Sequence, residues 1–121
     1  MTLPLDSHLM PSSEELYDQA VDCIADGKLD DAISKYREAV GLDPDFADAW
    51  EGLSMALADN ELWDEAIDAA KKVVELNPDE QLGYTNVSRI YQRANNVPEA
   101  EAWAAKARVL DWKRQLKEGK E

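Results

Sequence analysis

The chain has 121 residues, enough for one compact domain, and 45% of them are hydrophobic, while Gly and Pro number only five each. A low-complexity or collagen-like chain is thereby excluded. The formal net charge of −13 repels phosphate backbones and sets nucleic acid aside as a partner.

Residues 1–12 read as a loose leader. MTLPLDSHLMP holds two prolines and no apolar period, and it lacks the basic start and apolar run of a signal peptide. No stretch of the chain reaches the roughly 18 to 20 consecutive apolar residues that a membrane span needs. Cys23 is the single cysteine, so no disulfide can form within the chain. A cytoplasmic protein with no membrane partner is the expectation.

Helix periodicity begins at Ser13. Ser12-Ser13-Glu14-Glu15 has the pattern of a capping box. Leu16, Ala20 and Cys23 follow at i, i+4, i+7 on one face, and Ala32, Tyr36 and Ala39 repeat that spacing after the break Asp26-Gly27-Lys28. Gly27 suits the left-handed turn that ends many helices. Two antiparallel helices joined by a short turn are predicted, with Asp30 and Asp31 capping the second.

The stretch LDPDFADAW, Leu42 to Trp50, comes next. Its aspartates do not form a calcium loop, because the central glycine and the ligand spacing are missing. Pro44 cannot continue a helix and disfavours helical backbone before it, so it closes the pair. The aspartates around it are expected to cap the next helix and complement its dipole.

The stretch then recurs as LNPDEQLGY, Leu76 to Tyr84, with Pro78 in the place of Pro44. A shift of 34 aligns Ala32, Ala66 and Ala100, then Leu16, Trp50 and Tyr84, then Leu42, Leu76 and Leu110. It also aligns the small residues Ala20, Ser54 and Ser88. Small side chains in these columns let paired helices approach closely. Asn60 and Asn95-Asn96 stand near the breaks equivalent to Gly27. Three repeats follow, at 13–46, 47–80 and 81–114, with a basic extension of the last helix over 113–121.

The third copy departs from the other two. Trp112 stands where a third proline would fall, so the last helix is expected to run on toward Leu116. Glu101 replaces Ile33 and Ile67, and Arg108 replaces Val40 and Val74. These charges read as a cap on the face that another repeat would cover, or as scattered surface substitutions. Trp103 and Trp112 are expected to pack in the core or under the basic tail, Lys113 to Lys120, with a second contact patch as the alternative.

A helix-turn-helix of about 34 residues with an early aromatic or Leu, small residues at the crossings and a closing proline resembles the tetratricopeptide repeat family. Trp50, Leu53, Ser54, Leu57, Ala66, Ala70, Val73 and Pro78 carry the resemblance in the middle copy, and Tyr36, Ala39 and Pro44 in the first. It covers about residues 13–112. It implies an all-α fold, a right-handed superhelical α-solenoid of three antiparallel helix pairs. It also implies a concave groove, lined by the first helix of each pair, that binds a segment of another protein. The matching positions are Glu14, Tyr17, Val21 and Ile24, then Asp48, Glu51, Met55 and Asp59, then Leu82, Asn86, Arg89 and Arg93.

Among these, Tyr17, Val21 and Met55 read as an apolar pocket, Glu51 as a site for Lys or Arg, and Arg89 and Arg93, beside Asn86, as an anion contact. Val21 and Ile24 have a second reading as packing between helices, and residues 1–11, with Leu3, Leu5 and Leu9, have one as occupants of the groove. Relatives that hold the carboxylate tail of heat-shock chaperones use Lys, Asn, Asn, Lys and Arg. The matching positions here are Tyr17, Val21, Gly52, Leu82 and Asn86, so that ligand is disfavoured.

Chemistry is scarce. His8 is the only histidine, Cys23 falls in the apolar stripe of the first helix, and no glycine-rich phosphate loop occurs. No enzyme, cofactor or metal is expected. The expected partner is another protein or peptide with basic and apolar residues, bound by a monomer.

Charge suggests an alternative. Residues 1–80 hold 21 acidic and 5 basic side chains, whereas residues 81–121 hold 5 acidic and 8 basic. Copies could therefore associate head to tail in a salt-sensitive way.

Overall fold

A computed structural model describes residues 10–119. Most of the expected leader, with His8, Leu3, Leu5 and Leu9, lies outside the described residues. Within them the chain forms six helices and no strand: α1 (Ser13–Ala25), α2 (Leu29–Leu42), α3 (Ala47–Asp59), α4 (Trp63–Leu76), α5 (Gln81–Arg93) and α6 (Val97–Gly119). Each helix packs on its neighbours in the chain. The result is an all-α helical-repeat solenoid.

Small residues bring the helices together. Ala20, Ala32 and Ala66 have no exposed surface, and Ser54 and Ala100 are buried with them. In the third pair, the Ser88 hydroxyl donates to the carbonyl of Ala100 at 2.7 Å. A side chain on α5 reaches the backbone of α6 only because the crossing is so close. Leu16, Leu57 and Val87 fill the space beside these crossings, each at most 2% exposed.

The turn inside each pair is built alike. Gly27, Glu61 and Asn95 take left-handed backbone, at φ of 75°, 59° and 68°. The next residue's amide then closes back on the helix, from Lys28 to the Cys23 carbonyl (2.8 Å), Leu62 to Leu57 (2.9 Å) and Asn96 to Tyr91 (2.8 Å). This satisfies carbonyls that a helix end leaves open. In the second copy the left-handed residue is Glu61 rather than Asn60, which stays in regular backbone.

Only the first of the expected side-chain caps is present. Ser12 and Glu15 exchange the two bonds of a capping box, at 2.8 and 3.1 Å. The N-caps of α2, α3 and α4 are Lys28, Phe46 and Leu62, none with a side-chain bond. Asp30, Asp31, Asp48, Asp64 and Glu65 start one or more positions too late to cap, and they sit in the first turns. There they still complement the helix dipole. The Asp43 carboxylate accepts from the Asp45 amide at 3.1 Å and shapes the turn instead.

Turns between pairs carry a second repeated bond. Trp50 Nε1 donates to the Pro44 carbonyl at 2.7 Å, and the Tyr84 hydroxyl donates to the Pro78 carbonyl at 2.8 Å. An aromatic with a polar tip at this position pins the turn that precedes it. No such turn follows α6, which runs straight past Trp112 to Gly119. Because the tail stays helical and does not fold back, Trp112 is 60% exposed, contrary to the core or tail packing expected of it. Trp103 is half-buried against Tyr84, ring centres 5.9 Å apart.

Two substitutions test this packing in opposite directions. A Cβ at Gly52 would collide with the ring of Tyr36, which is itself 5% exposed and packed on Tyr17. Gly52→Ala should therefore lower the melting temperature, although Ala is the better helix former by about 1 kcal/mol. Glu61→Gly should raise stability by about 0.5 to 1 kcal/mol by relieving left-handed backbone. Thermal unfolding of both variants checks the pair.

Candidate functional site

The first helices α1, α3 and α5 start at the same point of each repeat, at Ser13, Ala47 and Gln81, and present equivalent positions to one another. On α1, Tyr17 is half-buried, while Val21 and Ile24 are each 42% exposed. On α3, Met55 is 55% exposed, and Glu51 is partly covered. On α5, Leu82 and Arg89 are exposed and Asn86 is partly covered. Val21 and Ile24 stand three residues apart on α1, and both carry exposed apolar surface.

Tyr17 anchors the α1 end of this row. Its ring meets Tyr36 edge-on at 5.9 Å and Phe46 at 5.3 Å. Burial raises its phenol pKa above the usual value of 10, and the carboxylates of Asp48, Glu51 and Asp18 push it the same way. The hydroxyl thus lies in an acidic collar shared by α1 and α3, which brings Tyr17 and Glu51 together.

The α5 end is arranged differently. Arg93 donates to the Asp59 carboxylate at 3.0 Å, and its guanidinium stands 5.7 Å over the ring of Trp63. Its charge is already engaged inside the domain. Arg89 donates to the Asn86 side-chain oxygen at 3.2 Å and forms no ion pair among the described residues. Of the two arginines, Arg89 is the one with charge to offer. The Asp59 and Arg93 pairing was legible in principle, since the two opposite charges occupy the same position in successive repeats.

Sequence reasoning did not anticipate two clefts near α6. One, of 930 Å³, lies between the α4–α5 turn and the α6 extension, with Leu82, Asp79 and Glu80 facing Lys113, Arg114 and Lys117. The other, of 530 Å³, is lined mainly by Val74, Tyr84, Trp103, Lys106 and Val109. Lys106 stands 4.0 Å over the Trp103 ring. Both lie away from Tyr17 and Met55. The straight course of α6 creates the first cleft, and only the missing third proline hinted at it. Cys23, in the α1 stripe, is half-buried. No helix among the described residues is long and apolar enough to cross a membrane.

Six stacked helices in one repeating register define a helical-repeat protein. The tetratricopeptide repeat model matches residues 17–81, more than half of the chain. The chain belongs to the tetratricopeptide repeat family. Among solved structures it is similar to MamA (TM-score 0.81, 23% identity, 86% of this chain and 57% of MamA). It is also similar to a chain of the CopN–Scc3 complex (0.76, 21%, 90% and 68%). A third similar structure is YrrB, described as a TPR protein with an unusual peptide-binding site (0.77, 22%, 84% and 52%). These identities establish a shared fold alone. The chain spans about 60% of the length of the MamA structures it matches. Comparison with curated protein sequences gives no significant match.

The Tyr17 environment sets a pH dependence. Its folded pKa, like that of Tyr36, is raised, chiefly by burial. The unfolded chain therefore loses the phenol proton first, and the stability contributed by the neutral phenols is lost as pH rises above about 10. Tyr17→Phe should flatten that decline. Denaturant unfolding at stepped alkaline pH measures it.

Proposed function

We propose that this domain is a non-catalytic interaction module and that the row on α1, α3 and α5 binds an extended or helical segment of another protein. The observation that carries this reading is the open apolar stripe of Tyr17, Val21, Ile24 and Met55 beside an acidic collar. Apolar side chains left open along the first helices are costly unless something covers them. YrrB, similar in fold, supplies a precedent for peptide binding on such a scaffold.

The chemistry of the row specifies the ligand. An apolar side chain of the partner would fill the space between Val21 and Met55. A neighbouring Lys or Arg would meet Glu51 and Asp48. At the far end Arg89 would take a carboxylate, with Asn86 holding its guanidinium in place. Arg93 has a smaller part here than Arg89, because Asp59 already neutralises it.

A displayed peptide library panned on the full chain tests this. Enriched peptides should pair a basic residue with Leu, Met or an aromatic. Tyr17→Ala should weaken the selected peptides about tenfold, Glu51→Lys should abolish the basic preference, and Arg89→Glu should abolish any acidic preference at the other end. Enriched peptides that bind all three variants as well as the parent would sink the assignment.

A second reading, head-to-tail association of copies, is favoured by one observation: the outer face of α1 is acidic and the far end of α6 is basic.

A further inference from the structure

The stack contains its own template for what would cover its two ends. Inside the chain, α3 packs on α2 and α5 packs on α4 in one antiparallel register. Gly83 of α5 lies against Val74 of α4, and Gly52 of α3 lies against Tyr36 of α2. Shifting by whole repeats carries both contacts to the ends of the molecule. Val74 becomes Arg108 and Gly83, shifted back twice, becomes Glu15; Tyr36, shifted forward twice, becomes Ala104 and Gly52 becomes Asp18.

The residues at these ends are unlike their buried equivalents. On α3, Ala49 and Ala56 are at most 1% exposed, and on α5, Ile90 is 5% exposed. The matching α1 positions, Glu15 and Asp22, are exposed acids. On α6, Arg108 is exposed where Val40 and Val74 are buried, and Glu101 is exposed where Ile33 and Ile67 are buried.

We infer that the acidic outer face of α1 docks on the outer face of α6 of a second copy, in the register that joins the pairs within one chain. Arg108 then faces the partner copy's Glu15, and the short side chains of Ala104 and Ala105 lie against its α1. Trp112, at 60% exposure, extends this face beyond Arg108 toward the start of the docked helix. Among the described residues Arg108 forms no ion pair that would compete. Two contacts oppose this pairing, the first being the partner copy's Asp18, which meets the short Ala104 with no cation opposite it. Further along the register, where Ile67 and Ile90 are buried in the chain, Glu101 meets the partner copy's Asp22. The association is therefore weak, screened by salt, and open-ended, because the two faces differ.

This inference rests on the second reading above and is independent of the row on α1, α3 and α5. Sedimentation velocity of the full chain over a range of concentrations tests it. At low salt the mean mass should rise with concentration, and added salt should return it to that of the monomer. Arg108→Glu should weaken association roughly tenfold, and the double variant Glu15→Arg with Arg108→Glu should restore it. Glu101→Ala should strengthen it. Circular dichroism and thermal unfolding control for folding, because Glu15→Arg also removes the capping-box bond from the Ser12 amide. Monomer mass at every concentration in low salt would overturn the inference, as would association that Arg108→Glu leaves unchanged or that the double variant fails to rescue. Peptide binding by the Arg108→Glu chain separates the two proposals: its loss counts against a distinct row on α1, α3 and α5, not against the docking register.

Discussion

Everything in this molecule depends on how closely the two helices of each pair can cross. The small buried residues Ala20, Ala32, Ser54, Ala66 and Ala100 allow that approach, and the bond from the Ser88 hydroxyl to the Ala100 carbonyl marks how short it is. A larger side chain at any of these positions would push a pair apart and leave Leu16, Leu57 or Val87 without contacts. Because the crossings recur once in every repeat, the first helices come into line. The proposed binding row rests on that alignment, which sets Tyr17 of the first repeat beside Glu51 of the second.

Specific polar bonds at each turn reinforce the spacing. A left-handed residue ends the first helix of every pair, and an aromatic donor ties the turn between pairs to the helix that follows. Between copies, Arg37 forks onto Glu65 across α2 and α4, and Asp59 holds Arg93 across α3 and α5. These pairs are about half exposed. They contribute on the order of 1 kcal/mol or less each, so they fix register more than they stabilise. The electrostatics left over is asymmetric, acidic around Tyr17 and cationic at Arg89 and along α6.

The repeat made the fold legible in the sequence. Columns of Ala and aromatic residues at a fixed period state both the helices and their pairing, and Pro44, Pro78 and Gly27 mark the breaks. Local detail was harder to read. Asp30 and Asp31 read as caps because acids cluster at helix starts, but the left-handed turn places Lys28 at the cap position. Nothing in the composition distinguishes the two outcomes. Within the candidate row, Val21 and Ile24 stand out from spacing, and Met55 only through the family resemblance. The contact of Arg93 with the Trp63 ring is not legible there, since it depends on how α4 and α5 pack. Trp112 was misjudged because a helix that continues straight cannot cover its own side chain.

Amide chemical-shift mapping of the full chain with a library-selected peptide tests the central claim most directly. Perturbed amides should cluster along Tyr17–Ile24, Glu51–Met55 and Asn86–Arg89, with α2, α4 and α6 little affected. Perturbations centred on Val74, Trp103 and Val109 would place the partner in the cleft beside α6 and contradict it.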